Sequence, residues 1–535
     1  MFDITESFSE REAEILSHYF TSVDGPVFGL INLPEIVKAA LFARYSRTHK
    51  SLRRLFLDEF YEELVERGGN ELSDGRGVGV VRAERLFARV IAEYGDDSVA
   101  QLGGIHVACE QSSNILTKII ERGRLMSYLE QSTRYVPYGE RDAGGHFRYH
   151  VPEELLPSSE AVQRYCTVVD RLFESYNTVR GEVLHYLRSQ VGGSEVEDRA
   201  VRAASLDAAR GLLPAGTLSN LGVFGSAQSY EQLIYRLRAS HYGEARHYGD
   251  LLHDVVLRVA PAFFPRVDRA DRGGVWVRYL SDRREATVAV LNQLGIVRSG
   301  VSEALSPSVR LIDFDVNGEH RIAEGIIFET VGPDSETMLG LLDSLTSDDM
   351  DTLFRAYRGE RSNRRYRPGR AFERTRYGFE IVCDYGAFRD LQRHRLLTPL
   401  WLEPSTTLGY VIPKLVLDAG VGGLYGDAMD AASEAESFLA ERFGSASSYV
   451  VPMGYLVRFR LEMNAREAMH LIELRSQASG HPNYRFVAQK MHEAIRNIAG
   501  HHRVAEAMSH VDHEEYVVGR VDAERNAEKS RSRLS

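Results

Sequence analysis

Apolar positions recur at helical spacing over most of this chain and alternate at strand spacing in a few short stretches. Ile36, Val37, Ala40 and Leu41 follow Pro34, a residue favoured in a first helical turn, and Leu52, Leu55, Phe56, Phe60 and Leu64 continue the period to a stop at Gly68-Gly69. The same spacing predicts helices over Leu86–Tyr94, through Ile115, Leu116, Ile119 and Ile120, across most of 153–209, from Ser229 to about Ser240 and from Arg283 to Leu294. Val309–Phe314 and Phe379–Cys383 read as strands, and Asn317-Gly318 as a turn leading into a helix from Ile322. Ser229 with Gln232, and Asn464 with Glu467, have the spacing of capping boxes. The fold class expected is α+β and helix-rich.

Composition narrows the picture. A chain of 535 residues suggests two to four domains with room for real cores, and 43% hydrophobic with 26% charged residues is a soluble globular balance. No apolar run approaches a membrane span, and the opening Met-Phe-Asp-Ile-Thr-Glu-Ser lacks the basic and apolar regions of a signal peptide. Cys109, Cys166 and Cys383 are few, odd in number and far apart, so a reducing cytoplasm is the expected compartment. A net charge of -11 argues against binding a nucleic-acid polymer, which needs a basic face. Any anionic ligand must be held by local arginines. Gly75–Gly79 has a glycine spacing like a phosphate loop but no preceding strand, and reads as a turn. His501, His502, His510 and His513 lack the frame of a metal site and read as a solvated helix face, so no metal is expected. The charged segment from about 520 reads as disordered.

Two arginine runs carry the candidate chemistry. Arg122-Gly-Arg124 is followed by a short apolar segment and then Glu130, Gln131, Ser132 and Arg134; Arg393-His394-Arg395 is followed by a similar segment ending at Glu403. Guanidinium groups meet phosphate oxygens two at a time, so such a run suits a nucleotide. Cations closing a helix are also stabilising with no ligand at all, and both readings stand at this point.

The pattern Arg-X-Arg, seven residues, Ser, X, Arg-Tyr at Arg122, Arg124, Ser132, Arg134 and Tyr135 resembles the signature of the flavin-dependent thymidylate synthases, Arg-His-Arg-X7-Ser. Gly123 replaces the central His in the first copy; the second keeps His394 but has Glu403 at the Ser position. The resemblance extends to Ala209-Arg210-Gly-Leu-Leu-Pro214, to Leu237-Arg238 and to Asn464-Ala-Arg466 through Leu474-Arg475, with His470 where the family has Asn. The family's Gln three residues before the first Arg is Ile119 in one copy and Asp390 in the other.

That resemblance implies two related domains in tandem, each a small mixed or antiparallel sheet flanked by long helices. The boundaries expected are 1–270 for the first, with a helical insertion near 140–200, a connector at 271–305, the second domain at 306–500 and a charged tail at 501–535. It implies reductive methylation of dUMP to dTMP, with FAD as cofactor and NADPH and methylenetetrahydrofolate as co-substrates. Nucleotide contacts are implied for Arg122, Glu130, Gln131, Ser132, Arg134, Arg210, Arg238 and Arg475, with Ser132 and Arg238 at the reacting pyrimidine. Ser132 reads as a positioning group, since no His or Lys base is identifiable beside it. Flavin contacts are implied for Arg124, Arg393, His394, Arg395, Asn464, Arg466 and His470. The complementary losses suggest a composite site, with a nucleotide half from the first copy and a flavin half from the second, in a homodimer that imitates the family tetramer. A related enzyme acting on another deoxynucleotide such as dCMP, and a non-catalytic nucleotide- or flavin-binding protein, are the alternatives.

Overall fold

The computed structural model describes residues 7–23, 28, 30–45, 50–61, 101–190, 195–296 and 306–516. The predicted helix at Leu86–Tyr94, the stop at Gly68-Gly69, the turn at Gly75–Gly79 and the segment from about 520 lie outside them. The described part is helix-rich, as the patterning predicts, with two small antiparallel sheets where the resemblance implies mixed or antiparallel ones. Two compact units divide it. One comprises 1–110, 119–130 and 220–297, the other 111–118, 131–219 and 298–535.

The first unit contains most of a three-stranded sheet in the order β1 (Gly104–Ser113), β3 (Leu218–Ser226), β2 (Met126–Glu130). The helix after β3 runs Ala227–Arg238 and is capped by Ser226, whose hydroxyl accepts from the Ser229 amide at 3.3 Å. The predicted cap at Ser229 is therefore three residues late: both serines are good caps, and the end of the β3 ladder decides between them. The predicted connector helix is longer than its apolar stretch, Gly273–Gln293.

In the second unit, helix Ser159–Gln190 buries Ala161, Tyr165, Val169, Leu172, Tyr176, Val179, Val183 and Leu187. These recur three or four residues apart, so they form one stripe. Helix Gly422–Phe443 packs against it. The sheet order is β4 (Ser308–Phe314), β5 (Arg376–Asp384), β7 (Leu456–Asn464), β6 (Thr398–Trp401), antiparallel throughout. As an interior strand, β5 buries Tyr377, Phe379, Ile381, Val382 and Cys383, with helix Pro482–Asn497 across β4 and β5. Each such large side chain contributes about 1.5–3 kcal/mol by leaving water. Residues 501–516 continue the folded body: helix His502–Ala507 buries Val504 and Ala505, and His501 is 3% exposed against the Tyr377 hydroxyl.

The tandem relationship is visible in backbone detail. The order β1-β3-β2 is repeated as β5-β7-β6, each first strand running directly into a helix, Asn114–Ile120 or Tyr385–Gln392. Ser113 caps the one by accepting from the Leu116 amide, and Asp384 caps the other by accepting from Ala387. Within the second unit the segment after Arg210 lies antiparallel to its counterpart after Ser448, with Pro214 bridged to Pro452. The bonds come in matched pairs. Ala215 donates to Val451 O at 2.8 Å and Met453 to Leu213 O at 2.9 Å; Gly216 donates to Tyr449 O at 2.8 Å and Gly454 to Gly211 O at 2.7 Å. This is a local twofold relation between the copies. A side chain at Gly454 would approach Gly211 O to 3.1 Å, so the close crossing needs glycine.

Candidate functional site

Four arginines of the second unit converge near one carboxylate, Asp390, on helix Tyr385–Gln392. Arg210, in the turn that ends helix Glu195–Ala209, is 3% exposed and directs Nη1 to Asp390 at 3.3 Å. Its Nη2 lies 3.9 Å from Asp384 Oδ1, and neither Nε nor Nη2 has a hydrogen-bond partner. Arg475, at the end of helix Ala465–Arg475, brings Nη1 to 4.0 Å from Asp390. Burial opposes the charge on Asp390, but Arg393, Arg210, Arg475 and Arg134 together pull it far below the usual carboxylate range. It is ionised and accepts only.

Arg134, in the loop after β2, is held on all sides. Its Nε and Nη2 grip both oxygens of Asp207 at 2.8 Å, Nη1 donates to the Tyr484 hydroxyl, and Nη2 also donates to Ser479 O at 3.0 Å. The Ser132 hydroxyl accepts from the Arg134 amide at 3.2 Å and so shapes this loop. Burial pushes Asp207 up, and Arg134 more than reverses the effect.

A second chain of contacts leads away from Arg475. Its Nε donates to His394 Nε2 at 3.1 Å, and His394 Nδ1 lies 2.9 Å from Glu467 Oε1. Burial brings the His394 pKa down to about 4, so the ring is neutral at pH 7. With Nε2 accepting, the proton is on Nδ1, and the Nδ1–H donates a hydrogen bond to Glu467. The predicted box with Asn464 is half formed: Asn464 caps the helix by accepting from the Glu467 amide at 2.9 Å, while Glu467 Oε1 faces His394. His394, Glu467 and His470 form a group of metal-ligand type, with His470 Nδ1 3.5 Å from Glu467. Both His394 nitrogens are already engaged.

Beside Arg210 opens a cavity of about 310 Å³. Asp207, Asp384, His481 and Asn483 are on its polar wall, and Val411, Leu456 and Phe486 form part of its apolar wall. Asp384 accepts from Asn483 Nδ2 at 2.7 Å, while burial pushes its pKa up against the pull of Arg210. His481 caps the next helix, accepting from the Asn483 amide at 3.2 Å and donating to Asp207 O at 3.2 Å. Burial takes its pKa to about 3. Apolar walls with unpartnered guanidinium donors at one end suit a planar ring carrying carbonyl oxygens, or an anion.

Of the residues singled out from sequence, Arg134, Arg210, Arg393, His394 and Arg475 come together here. Gln131 and Ser132 belong to the same unit; the Gln131 carbonyl accepts from Tyr138 and Ser219. Arg395 is exposed, and Arg466 donates to Pro368 O at 3.0 Å and pairs with Glu373 at 3.3 Å. Arg122, Arg124, Glu130 and Arg238 belong to the first unit, where Arg238 pairs with Asp250 at 2.8 Å and Asp268 at 2.9 Å. Sequence reasoning did not find Asp207, Asp384, His481, Asn483 or Tyr484. The nearest signal was Asp390, legible only as a departure from the family's Gln.

A family model described as thymidylate synthase complementing protein, Thy1, matches residues 37–262 and 360–500, and the chain belongs to that family. It is 34% identical to a UPF0159 protein of Chlamydia muridarum (strain MoPn / Nigg), over 97% of this chain and 98% of the relative. It is 33% identical to one of Chlamydia pneumoniae, over 98% of each. Against UPF0159 protein of Thermoplasma acidophilum the figures are 29%, 91% and 98%. A crystal structure of a UMP/dUMP methylase, PolB, from Streptomyces cacaoi bound with 5-Br dUMP is similar at 18% identity and a TM-score of 0.30, covering 39% of this chain and 97% of that one. Among the described residues no helix is long and apolar enough to cross a membrane.

Proposed function

We propose that this protein is a flavin-dependent methylase of a pyrimidine deoxynucleotide, converting dUMP to dTMP with FAD, NADPH and methylenetetrahydrofolate. The observation that carries the proposal is Arg210. It is a buried guanidinium with two unpartnered nitrogens beside an apolar-walled cavity, in a chain of this family. An unpaired buried donor costs about 1–3 kcal/mol, which a carbonyl or phosphate oxygen would offset. Arg210 binds the nucleotide, and Arg134 and Arg475 brace the site through Asp207, Tyr484 and His394. Donors already aimed at a pyrimidine carbonyl stabilise negative charge that develops on the ring.

The flavin residues fit their group in part. Arg393 and Arg395 are suited to its pyrophosphate, and His470 Nδ1 is held only by a 3.5 Å contact to Glu467 Oε1. Asn464 and Arg466 have internal partners and would exchange them. When bound, FAD supplies hydride transfer. The test is the visible spectrum of purified protein with FAD, then with dUMP, followed by assay of dTMP formation. Retained flavin bands that shift with dUMP, and product lost in R210A, are expected; failure to retain flavin under any condition removes the proposal.

One observation favours a second reading. Asp390 stands where the family has Gln and remains an ionised acceptor, and a carboxylate complements the amino group of cytosine. On that reading dCMP is the substrate, and a parallel assay with dCMP separates the two.

A further inference from the structure

The two helix-start corners related by the local twofold are alike in backbone and unlike in chemistry. One is Cys383-Asp384-Tyr385-Gly386, against which Arg210 lies. Its counterpart is Ser112-Ser113-Asn114-Ile115, and Ser448 stands at the position matching Arg210. The correspondence is anchored by the matched caps and by Asn114 donating to Thr217 O at 3.2 Å just as Tyr385 donates to Tyr455 O at 3.0 Å.

The differences are coupled. A Cβ on Gly386 would lie 3.3 Å from Arg210 Nε and Nη2 and 2.9 Å from Asp384 Oδ1, so the guanidinium rests where any side chain would intrude. The corner without the arginine has Ile115 there, a buried hydrocarbon side chain 4% exposed. The Ser448 hydroxyl donates to Pro404 O at 2.8 Å, and Ser113 is occupied as a cap. Asn114 Oδ1 and Thr217 Oγ1 remain unpartnered, but neither is a cation. That corner also has Ser113 at the place of Asp384 and so lacks its carboxylate.

We propose that each chain binds one nucleotide, at the Arg210 corner, and that the Ser113–Ile115–Ser448 corner is a closed remnant of a second site. The ligand's identity rests on the function proposed above; the closure does not. Equilibrium dialysis of the full chain against dUMP should saturate at one equivalent, and R210A should weaken uptake roughly ten- to hundredfold, the range for hydrogen bonds from a charged group. Closure is read without ligand from melting temperatures. G386I should lower Tm strongly in the natural protein and much less when combined with R210S, which copies the remnant corner. Two equivalents per chain, or equal effects of G386I in both backgrounds, would overturn the proposal. If dUMP is not taken up at all, the functional reading fails and the melting comparison alone decides this one.

Discussion

Arg475 Nε donates to His394 Nε2 at 3.1 Å, and that bond forces the histidine proton onto Nδ1, whose N–H donates a hydrogen bond to Glu467. A permanently charged side chain therefore sets the tautomer of a neutral one, and the carboxylate behind it fixes the ring. Glu467 has its pKa brought down to about 2, burial opposing the change and the His394 hydrogen bond driving it.

Acid sensitivity follows from the buried histidines. His394 and His481 have folded values of about 4 and about 3, below the ordinary 6.5, so the unfolded chain takes up protons first as pH falls. Their contribution to stability is complete above about 6.5 and is lost as pH falls toward the folded values. Thermal melts between pH 7 and pH 4 should show a falling Tm. H481N keeps a good cap residue but does not titrate, and should flatten that slope; an unchanged slope would refute the assignment.

The Arg134–Asp207 pair predicts a marked asymmetry. Its side chains are 12% and 11% exposed, so D207A leaves a buried guanidinium without its counter-ion and should cost about 3–5 kcal/mol in urea unfolding. Replacing both with apolar residues of similar volume should cost much less, since it removes the stranded charge. Equal losses in the two variants would mean that Arg134 finds another partner.

Asp390 competes with any anion for the same arginines. D390N removes one negative charge from the cluster and should tighten binding of inorganic phosphate by roughly tenfold, about 1.4 kcal/mol of relieved repulsion. It should also shift any preference for dCMP over dUMP toward dUMP, because an amide carries both donor and acceptor. Calorimetric titration with the three ligands checks both; unchanged phosphate affinity would place the anion elsewhere.

The cap assignment is tested by a pair of serines. S226A should lower stability by about 1 kcal/mol, the usual cost of losing an N-cap, whereas S229A should have a smaller effect because it keeps the amide bond to the cap and loses only the hydroxyl contacts to Ser226 Oγ and Leu125 O. Chemical denaturation of the two variants distinguishes them, and the reverse order would restore the start at Ser229.

Much of the fold was legible because its signals are local. The stripe from Ala161 to Leu187, the strand at 308–314 and the cap at Asn464 depend on residues within a turn or two of each other, and periodicity reports them. The arginines of the site were legible for the same reason: Arg134, Arg210, Arg393 and Arg475 stand in short motifs. Their partners were not. Arg134 meets Tyr484 across 350 positions, and Arg210 meets Asp390 across 180. No spacing rule connects positions so distant, so only the folded backbone determines which carboxylate neutralises which arginine and which guanidinium is left with open donors. The repeat is written in the chain, but the loss of one of its two corners emerges only when Gly386 and Ile115 are seen at matching places, where the volume of one side chain decides whether an arginine fits.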